Sequence, residues 1–201
     1  VSPEQADRNS SIHSDLVFSG HRHTPIAALV PEIAARTVTL MAPSKTWNLA
    51  GLKCGLAVIP NPALREKFVA ARVDMVHTVN ILGYTAALAA YRDGQPWLDE
   101  LLRYLEANRD FVVDYVGKHL PGVAVAPPEA TYLAWLDCRR ARIPGSDPFR
   151  FFLEQARVAL NDGATFGRGG AGFVRLNFAT PRAILAEGLD RMRDALAASR
   201  R

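Results

Sequence analysis

The sequence predicts an α/β fold, and three observations lead to this prediction. Two apolar, β-branched runs at residues 37–44 and 55–60 are joined by a short polar connector. Helical periodicity follows over residues 62–119. Residues 122–201 then alternate between strand and helix patterns. Apolar strands that alternate with helices are typical of sheets covered by helices.

The individual elements follow from local signals. Residues 12–18 (IHSDLVF) read as an extended segment, and Pro31 is well placed to begin a short helix. The runs 37–44 and 55–60 predict two buried strands. Asn61 precedes a proline, as helix caps often do, so a helix is expected to begin there.

A second and a third helical segment follow. The segment TVNILGYTAALAAYRDG (78–94) is nearly all apolar, and the one from residue 95 should end at the HLPG sequence (119–122). Apolar residues of the third segment form one stripe: Leu98, Leu101, Leu102, Leu105, Val112, Val113 and Val116. Further on, the pattern reads strand, strand, helix, strand, helix, and Thr180 should cap the last helix.

Composition excludes several classes of protein. With 201 residues and 49% hydrophobic content, the chain can bury a core. The net charge of +4 comes mainly from scattered arginines without a basic block, so no nucleic-acid partner is predicted. No apolar run reaches the roughly 18 residues that a membrane span needs. Cys54 and Cys138 match no zinc or redox spacing, and we expect reduced thiols in a cytoplasmic protein.

Lys45 is the principal candidate for chemistry. It lies in SKTWNLAGLKCG (44–55), directly after an apolar strand and before small and turn-forming residues. A lysine amine that leaves a strand end into a tight polar segment is well placed to form a Schiff base. The alternative is a surface lysine beside a turn. His21 and His23 lie in a glycine-containing loop and lack a third ligand, so no metal site is predicted.

Five segments together carry a resemblance to a known family. They are SKTWNLAGLKCG, GQPWLDELLRYLEANRDFV, PPEATYLAWLDCR, ARVALNDGATFG and GFVRLNFATPRAIL. In this order they resemble the pyridoxal-phosphate-dependent class I/II aminotransferases over residues 12–201. The resemblance is closest to the carbon-sulfur lyase branch that is similar to cystathionine β-lyase. It implies fold type I, the aspartate aminotransferase-like fold, with pyridoxal 5'-phosphate as cofactor.

The resemblance also implies roles for individual residues. Lys45 would form the Schiff base with the cofactor and act as the general base. Ser44 and Lys53 match positions that contact the cofactor phosphate, and His13 matches a histidine near the pyridine ring. Arg175 matches the arginine that binds the substrate α-carboxylate. A turn serine, an exposed lysine, a structural histidine and a surface arginine remain the alternative readings.

The same resemblance leaves the activity open. A β-lyase would convert an amino acid to a thiol, pyruvate and ammonia, whereas an aminotransferase would return the proton to the cofactor. Both activities use the same lysine, phosphate-binding cation and carboxylate-binding arginine. Members of this family are dimers, so a homodimer is implied for the full-length parent, with an amino acid as its small-molecule substrate.

The sequence also departs from the family. Relatives usually carry an Asp-Glu pair before the IHSDL segment, at the end of a strand. This chain has Ser10 and Ser11, and we expect the strand itself to be absent. The chain reads as the C-terminal half of a protein about twice as long. Residues 1–95 would be an incomplete part of the cofactor-binding large domain.

Residues 96–201 would then form the interdomain helix and the small C-terminal domain. Two further interpretations stay open for such a partial chain. It could be catalytically inactive and serve as a folding or interaction module. Alternatively, its exposed sheet edges could pair with another chain and restore a site by complementation.

Overall fold

The computed structural model describes residues 7–73 and 78–199, and gives side chains for residues 11–73 and 78–199. The chain divides into two compact units, the first ending at Leu102 and the second beginning at Arg103. Both units combine helices with a small sheet, so the predicted α/β class is confirmed. The assignment of residues 1–95 and 96–201 to two family domains stays a prediction.

The first unit contains a three-stranded sheet in the order β1-β2-β3. The strands are β1 (Asp7–Ser10), β2 (Thr37–Met41) and β3 (Leu56–Val58). Strand β1 runs parallel to β2, and β3 runs antiparallel to it. The expectation that no strand precedes the IHSDL segment is therefore wrong. Polar residues such as those of β1 have low strand propensity, and pairing with β2 overrides that propensity.

The prediction of an extended segment over residues 12–18 is wrong for residues 12–15. Residues 12–15 form turns instead, with the Ser14 N–H donating to the Ser11 carbonyl at 3.2 Å and the Leu16 N–H to the His13 carbonyl at 3.0 Å. The Ser14 hydroxyl donates to the same Ser11 carbonyl at 2.8 Å. Serine side chains compete for backbone groups in this way, which favours turns over strands.

Both of the predicted buried strands are present, but only the first begins with buried residues. Strand β2 is present and begins with three buried residues, although it ends at Met41 because a helix starts at Pro43. Strand β3 is present but not buried, with Leu56 43% and Val58 51% exposed. It lies at the edge of the described sheet, and the described part of its unit does not cover these side chains.

The helices predicted to begin at Pro31, after Asn61 and at residue 95 are present, whereas the short helix over Pro43–Thr46 was not predicted. Five lie wholly or partly in the first unit: α1 (Pro31–Ala34), α2 (Pro43–Thr46), α3 (Pro62–Ala71), α4 (Ile81–Asp93) and α5 (Gln95–His119). The Asn61 side chain caps α3 as predicted, and the Asn80 side chain caps α4 by accepting from the Gly83 N–H at 2.8 Å. Among the helices described, none combines the length and the apolar character needed to cross a membrane.

The second unit contains a four-stranded antiparallel sheet in the order β4-β5-β7-β6. Its strands are β4 (Ala124–Val125), β5 (Leu133–Asp137), β6 (Asn161–Asp162) and β7 (Phe173–Asn177). Its further helices are α6 (Pro148–Phe151), continued by a π-helical turn over Phe152–Ala156, and α7 (Arg182–Ala198). Strand β6 was not predicted because two polar residues carry no strand pattern.

Alternation along the strands of this second sheet separates a buried face from an exposed one. Ala134 and Leu136 on β5 and Val174 and Leu176 on β7 are buried. The residues between them, including Trp135 and Arg175, lie on the opposite face. The predicted stripe of α5 also contributes to the core of this unit, with Leu105, Val112 and Val116 about 1% exposed.

The predicted cap of the last helix is wrong. Pro181, rather than Thr180, occupies the N-cap position of α7, and no side chain caps this helix. Instead, the Tyr104 hydroxyl accepts the Arg182 N–H at 2.7 Å. The Thr180 carbonyl accepts a hydrogen bond from the buried Asn108 side chain at 3.0 Å. Contacts from α5 therefore satisfy the helix start that the threonine was expected to satisfy.

Candidate functional site

Lys45 lies in the short helix α2 rather than at the end of a strand. Strand β2 stops at Met41, and the helix begins with Pro43, whose fixed φ suits a first helical position. The Trp47 N–H donates to the Pro43 carbonyl at 3.0 Å and closes this turn. The Lys45 side chain is half-buried. The sequence placed the lysine correctly after β2 but missed the helical turn that presents it.

The residue next to the lysine fastens α2 to the IHSDL segment. Thr46 is fully buried, and its hydroxyl donates to a carboxylate oxygen of Asp15 at 2.7 Å. Asp15 belongs to the turns over residues 12–15 and is half-buried. Thr46 directly follows Lys45, and Asp15 lies two residues after His13. This bond therefore connects the two segments that carry these predicted site residues.

A second contact, from Trp47, also holds the C-terminal end of α2. The Trp47 indole N–H donates to the Gly94 carbonyl at 3.1 Å, and its ring meets Tyr91 edge-on at 4.8 Å. A Cβ on residue 94 would lie 2.4 Å from the indole nitrogen, so only glycine fits there. Burial and the nearby negative charge of Asp15 raise the pKa of Tyr91. Two adjacent residues, Thr46 and Trp47, therefore attach the C-terminal end of the lysine turn to the rest of the first unit.

Ser44 and Lys53 lie at the two ends of the following loop. Ser44 is half-buried, and its carbonyl accepts the Leu49 N–H at 3.1 Å. Lys53 is exposed and follows a 3-10 turn over Ala50–Leu52. Its backbone is left-handed, with φ 52°. Left-handed backbone at a residue with a side chain costs about 1–2 kcal/mol, and such strain often accompanies functional loops.

The helix start of α4 supports this strained loop. The Asn80 side chain donates to the Leu52 carbonyl at 3.2 Å, next to Lys53. A Cβ on Gly83 would lie 2.7 Å from the same carbonyl. The close approach of α4 therefore fixes the backbone that carries the Lys53 ammonium.

His13 is half-buried in the turns over residues 12–15. Its carbonyl accepts the Leu16 N–H at 3.0 Å, and Leu16 is fully buried. The backbone of the turn is therefore anchored in the core of the first unit. The role of the imidazole near a cofactor ring stays a prediction.

Arg175 lies in the second unit, on β7. This strand is internal in its sheet, and Arg175 pairs directly with Trp135 on one side and with Asn161 on the other. The guanidinium Nε and Nη2 donate to the Asn161 side-chain oxygen at 3.2 and 3.1 Å. Its central carbon lies 4.5 Å from the centre of the Phe166 ring. The arginine is thus held by a neutral amide and an aromatic face.

The charge of Arg175 also reaches a neighbouring tyrosine. Burial raises the pKa of Tyr132, and the positive charge of Arg175 acts in the opposite direction. The guanidinium of Arg175 therefore lies near enough to Tyr132 to favour the charged form of its phenol.

A surface cleft of about 660 Å³ lies elsewhere in the second unit. Its lining includes the Arg150–Glu154 ion pair and the last turn of α7. None of the predicted site residues lines it. Concavity alone therefore does not locate the candidate chemistry.

Comparison with known proteins gives the family. The family model for aminotransferase class I and II matches residues 11–192, which is most of the chain. This chain belongs to the class I and II aminotransferase family. The predicted family and its fold type I architecture are therefore confirmed.

Two curated members of the aminotransferase family illustrate the likeness. The chain is 40% identical over 189 residues to the cystathionine beta-lyase PatB of Bacillus subtilis (strain 168), covering 94% of this chain and 49% of that relative. It is 41% identical over 186 residues to a cystathionine beta-lyase of Corynebacterium glutamicum, covering 92% and 49%. The chain spans about half the length of the curated relatives it matches.

A solved structure of the family agrees with these two relatives. Cystalysin from Treponema denticola, whose crystal structure contains a pyridoxal 5'-phosphate cofactor, superposes with a TM-score of 0.89. The identity is 32%, and the match covers 96% of this chain and 49% of that chain. Over nearly the whole length of this chain, the backbone therefore follows that of a family member.

The sequence did not single out several partners of the site residues in this aminotransferase-family chain. They are Asp15, Thr46, Asn161 and Phe166. A weak signal existed for the first two, because a carboxylate and a hydroxyl stand beside His13 and Lys45 in the matched motifs. No sequence signal links Asn161 or Phe166 to Arg175, because strand pairing brings Asn161 to the arginine and the 3-10 turn after β6 brings Phe166.

Proposed function

We propose that this chain carries the lysine and the carboxylate-binding arginine of a pyridoxal-phosphate-dependent enzyme that acts on amino acids. The proposed reaction is carbon-sulfur β-elimination, which gives a thiol, pyruvate and ammonia as in cystathionine β-lyases. The observation that carries the proposal is the turn around Lys45, which the Thr46–Asp15 bond and the Trp47–Gly94 bond hold in place. The likeness to two cystathionine beta-lyases supports the choice of reaction.

The side chains of the first unit suit such a cofactor. Lys45 supplies a half-buried primary amine for an aldehyde, and the adjacent Ser44 supplies a hydroxyl. Lys53 supplies an exposed ammonium on a strained loop, where it can neutralise a phosphate as a point charge. An amine, a hydroxyl and a cation are the donor set that an aldehyde with a phosphate group requires.

Each residue then has a task. Lys45 would hold the cofactor through Nζ, and once the substrate amine had displaced it, the freed Lys45 amine would accept the α-proton. Arg175 binds the substrate α-carboxylate through parallel N–H donors and so orients the α-carbon. His13 lies against the pyridine ring in this proposal. When bound, pyridoxal phosphate supplies the electron-withdrawing ring that stabilises negative charge at the α-carbon.

Ser10 is the least suitable residue for this chemistry. It ends β1, at the position where the family resemblance leads us to expect an aspartate. A serine cannot hold a protonated pyridine nitrogen by charge, and losing one such charge-assisted bond costs about 1.5–3 kcal/mol. We therefore expect the chain to bind the cofactor more weakly than a relative with aspartate there.

Covalent trapping tests the central claim. The chain has four lysines: Lys45, Lys53, Lys67 and Lys118. The 201-residue protein is incubated with pyridoxal phosphate, reduced with borohydride and mapped by peptide mass spectrometry. We expect the label on Lys45, and its loss in Lys45→Ala. Lys67→Ala serves as the matched control and should label as the wild type does. Label on other lysines, or none at any cofactor concentration, contradicts the proposal and favours an inactive folding or interaction module.

A substrate assay separates lyase from aminotransferase. Cystathionine is supplied with and without a keto-acid acceptor, and pyruvate is measured. Pyruvate formed without the acceptor supports β-elimination. Product that appears only with the acceptor identifies the protein as an aminotransferase, which is the alternative within the same family. Activity that appears only on adding a second polypeptide supports complementation.

We also propose a cytoplasmic location and a homodimer for the longer protein that contains this chain. Cys54 and Cys138 are free thiols in the described structure, as expected in a reducing compartment. Apolar side chains are exposed on α4, where Ile81 is 75% and Leu82 66% exposed, and such surfaces often lie at interfaces. Light scattering of the longer protein at two concentrations tests the dimer, and a monomeric mass at both contradicts it.

A further inference from the structure

A neutral amide, rather than a carboxylate, holds the guanidinium of Arg175. Its Nε and Nη2 both donate to one oxygen of Asn161, at 3.2 and 3.1 Å. An asparagine that faces a guanidinium must present its oxygen, because arginine has donors only. No described residue bonds to Nη1, which leaves the end of the guanidinium open.

Arg139 in the same unit provides the contrast. Its Nε and Nη2 bond to the two carboxylate oxygens of Asp137 at 2.9 and 2.7 Å. Both arginines therefore use the same edge, but Arg139 has an anion as its partner and Arg175 has a neutral amide. A neutral acceptor orients the guanidinium without cancelling its charge, so the charge remains available to an incoming carboxylate.

Aromatic contacts further limit the motion of Arg175. Its guanidinium lies 4.5 Å from the centre of the Phe166 ring, and Phe166 contacts Trp135 edge-on at 5.4 Å. Trp135 in turn stacks on Phe173 at 5.5 Å. An arginine held at its edge by an amide and on its face by a ring has lost most of its rotamer freedom before any ligand binds, and this pre-organisation favours binding.

We propose that Asn161 is the positioning residue of the Arg175 carboxylate site. Its amide oxygen holds the Nε–Nη2 edge, so that the α-carboxylate of an amino acid meets the Nη1–Nη2 end of the guanidinium. This inference deepens the proposed function and rests on the role of Arg175 in it. It predicts that the neutrality of residue 161 matters as much as its ability to accept a hydrogen bond.

Nuclear magnetic resonance of the 201-residue protein tests this inference. The Arg175 Nε–H resonance is followed in the wild type, in Asn161→Ala and in Asn161→Asp, with acetate as a probe that presents a carboxylate alone. Loss of the bond in Asn161→Ala should speed Nε–H exchange roughly tenfold. Asn161→Asp keeps an acceptor and should keep exchange slow. Both variants should bind acetate at Arg175 roughly threefold or more weakly.

The matched control changes the charge of the residue that partners the other arginine, Arg139. Asp137→Asn replaces the charged partner of Arg139 by a neutral one on the same sheet, and acetate binding at Arg175 should not change. Circular dichroism checks that each variant is folded, which is expected because Asn161 is exposed.

Three outcomes overturn the inference, and they differ in which role they exclude. If Asn161→Asp binds acetate as tightly as the wild type does, Asn161 has no positioning role. The same holds if Nε–H exchange is unchanged in Asn161→Ala. Both results leave the carboxylate role of Arg175 intact. No response of Arg175 to acetate in the wild type removes both roles. In each case, borohydride trapping at Lys45 independently decides whether the cofactor part of the proposed function stands.

Discussion

The Thr46 hydroxyl donates to the Asp15 carboxylate at 2.7 Å, although 31 residues separate the two in sequence. Thr46 is fully buried beside Lys45, and Asp15 lies two residues after His13. This bond therefore connects the turn of the candidate lysine with the turn of the candidate histidine. It gives the loop around Lys45 a fixed attachment within the first unit.

Replacing Thr46 tests this attachment. Thr46→Val keeps the shape of the side chain but removes the donor, so the free energy of unfolding should fall by about 1–3 kcal/mol. Thr46→Ser keeps the hydroxyl and loses only a methyl group, so it serves as the matched control. Urea unfolding of the three proteins measures the difference. Equal losses in the two variants would mean that packing, rather than the bond to Asp15, accounts for the effect.

We expect Lys53 to lower the free energy of unfolding and to raise the affinity for the cofactor. Lys53→Gly relieves a left-handed backbone worth about 1–2 kcal/mol and adds unfolded-state freedom worth about 0.4–1 kcal/mol. We expect a small net rise in the free energy of unfolding and weaker pyridoxal phosphate trapping at Lys45. Lys53→Ala removes the same charge but keeps the strain, so only the trapping should weaken. Trapping that stays at the wild-type level in both variants would exclude a phosphate-binding role for the ammonium.

Asn108 should be among the most important polar residues of the second unit. It is fully buried, donates to the Phe178 and Thr180 carbonyls at 2.8 and 3.0 Å, and accepts from the Arg182 Nε at 2.8 Å. Asn108→Ala leaves buried groups unpaired, and we expect a loss of about 2–4 kcal/mol. Asn177→Ala, an exposed asparagine on β7, should cost about 1 kcal/mol or less. Urea unfolding that shows similar losses for both would contradict this assignment.

Tyr115 should make the stability of the protein fall at high pH. Burial and then its bond to Asp190 raise the pKa of Tyr115 to about 12 from an ordinary 10.0. Between these two pH values the unfolded chain loses this proton while the folded chain keeps it. The stabilisation is therefore complete below pH 10 and is lost as the pH rises towards 12.

Tyr115→Phe removes this titrating group and shows the effect by difference. The gap in the free energy of unfolding between wild type and variant should narrow as the pH is raised from 10 to 12. Tyr84→Phe, at an exposed position on α4, is the control. The difference in the free energy of unfolding between this variant and the wild type should stay constant from pH 10 to 12. A constant gap between wild type and Tyr115→Phe across this range would contradict the prediction.

Elements with a local sequence signal were predictable, including the short helix that begins at Pro31, and elements without such a signal were not. The apolar stripe placed α5 correctly, and the Asn61 cap placed the start of α3. Strands β1 and β6 consist of polar residues whose strand conformation depends on a partner elsewhere in the chain. The cap at Thr180 failed for a related reason, because Tyr104 from α5 reaches the helix start instead.

By itself, the sequence determined the α/β class, the longer helices, the family and the identity of the candidate lysine and arginine. These depend on local periodicity, capping residues and motifs, which are encoded within short windows of chain. Only the tertiary structure decided that Lys45 sits in a helical turn attached to Asp15 and that Asn161 faces Arg175. Such contacts join residues far apart in sequence, and the pairing of strands and packing of helices select them rather than any local pattern.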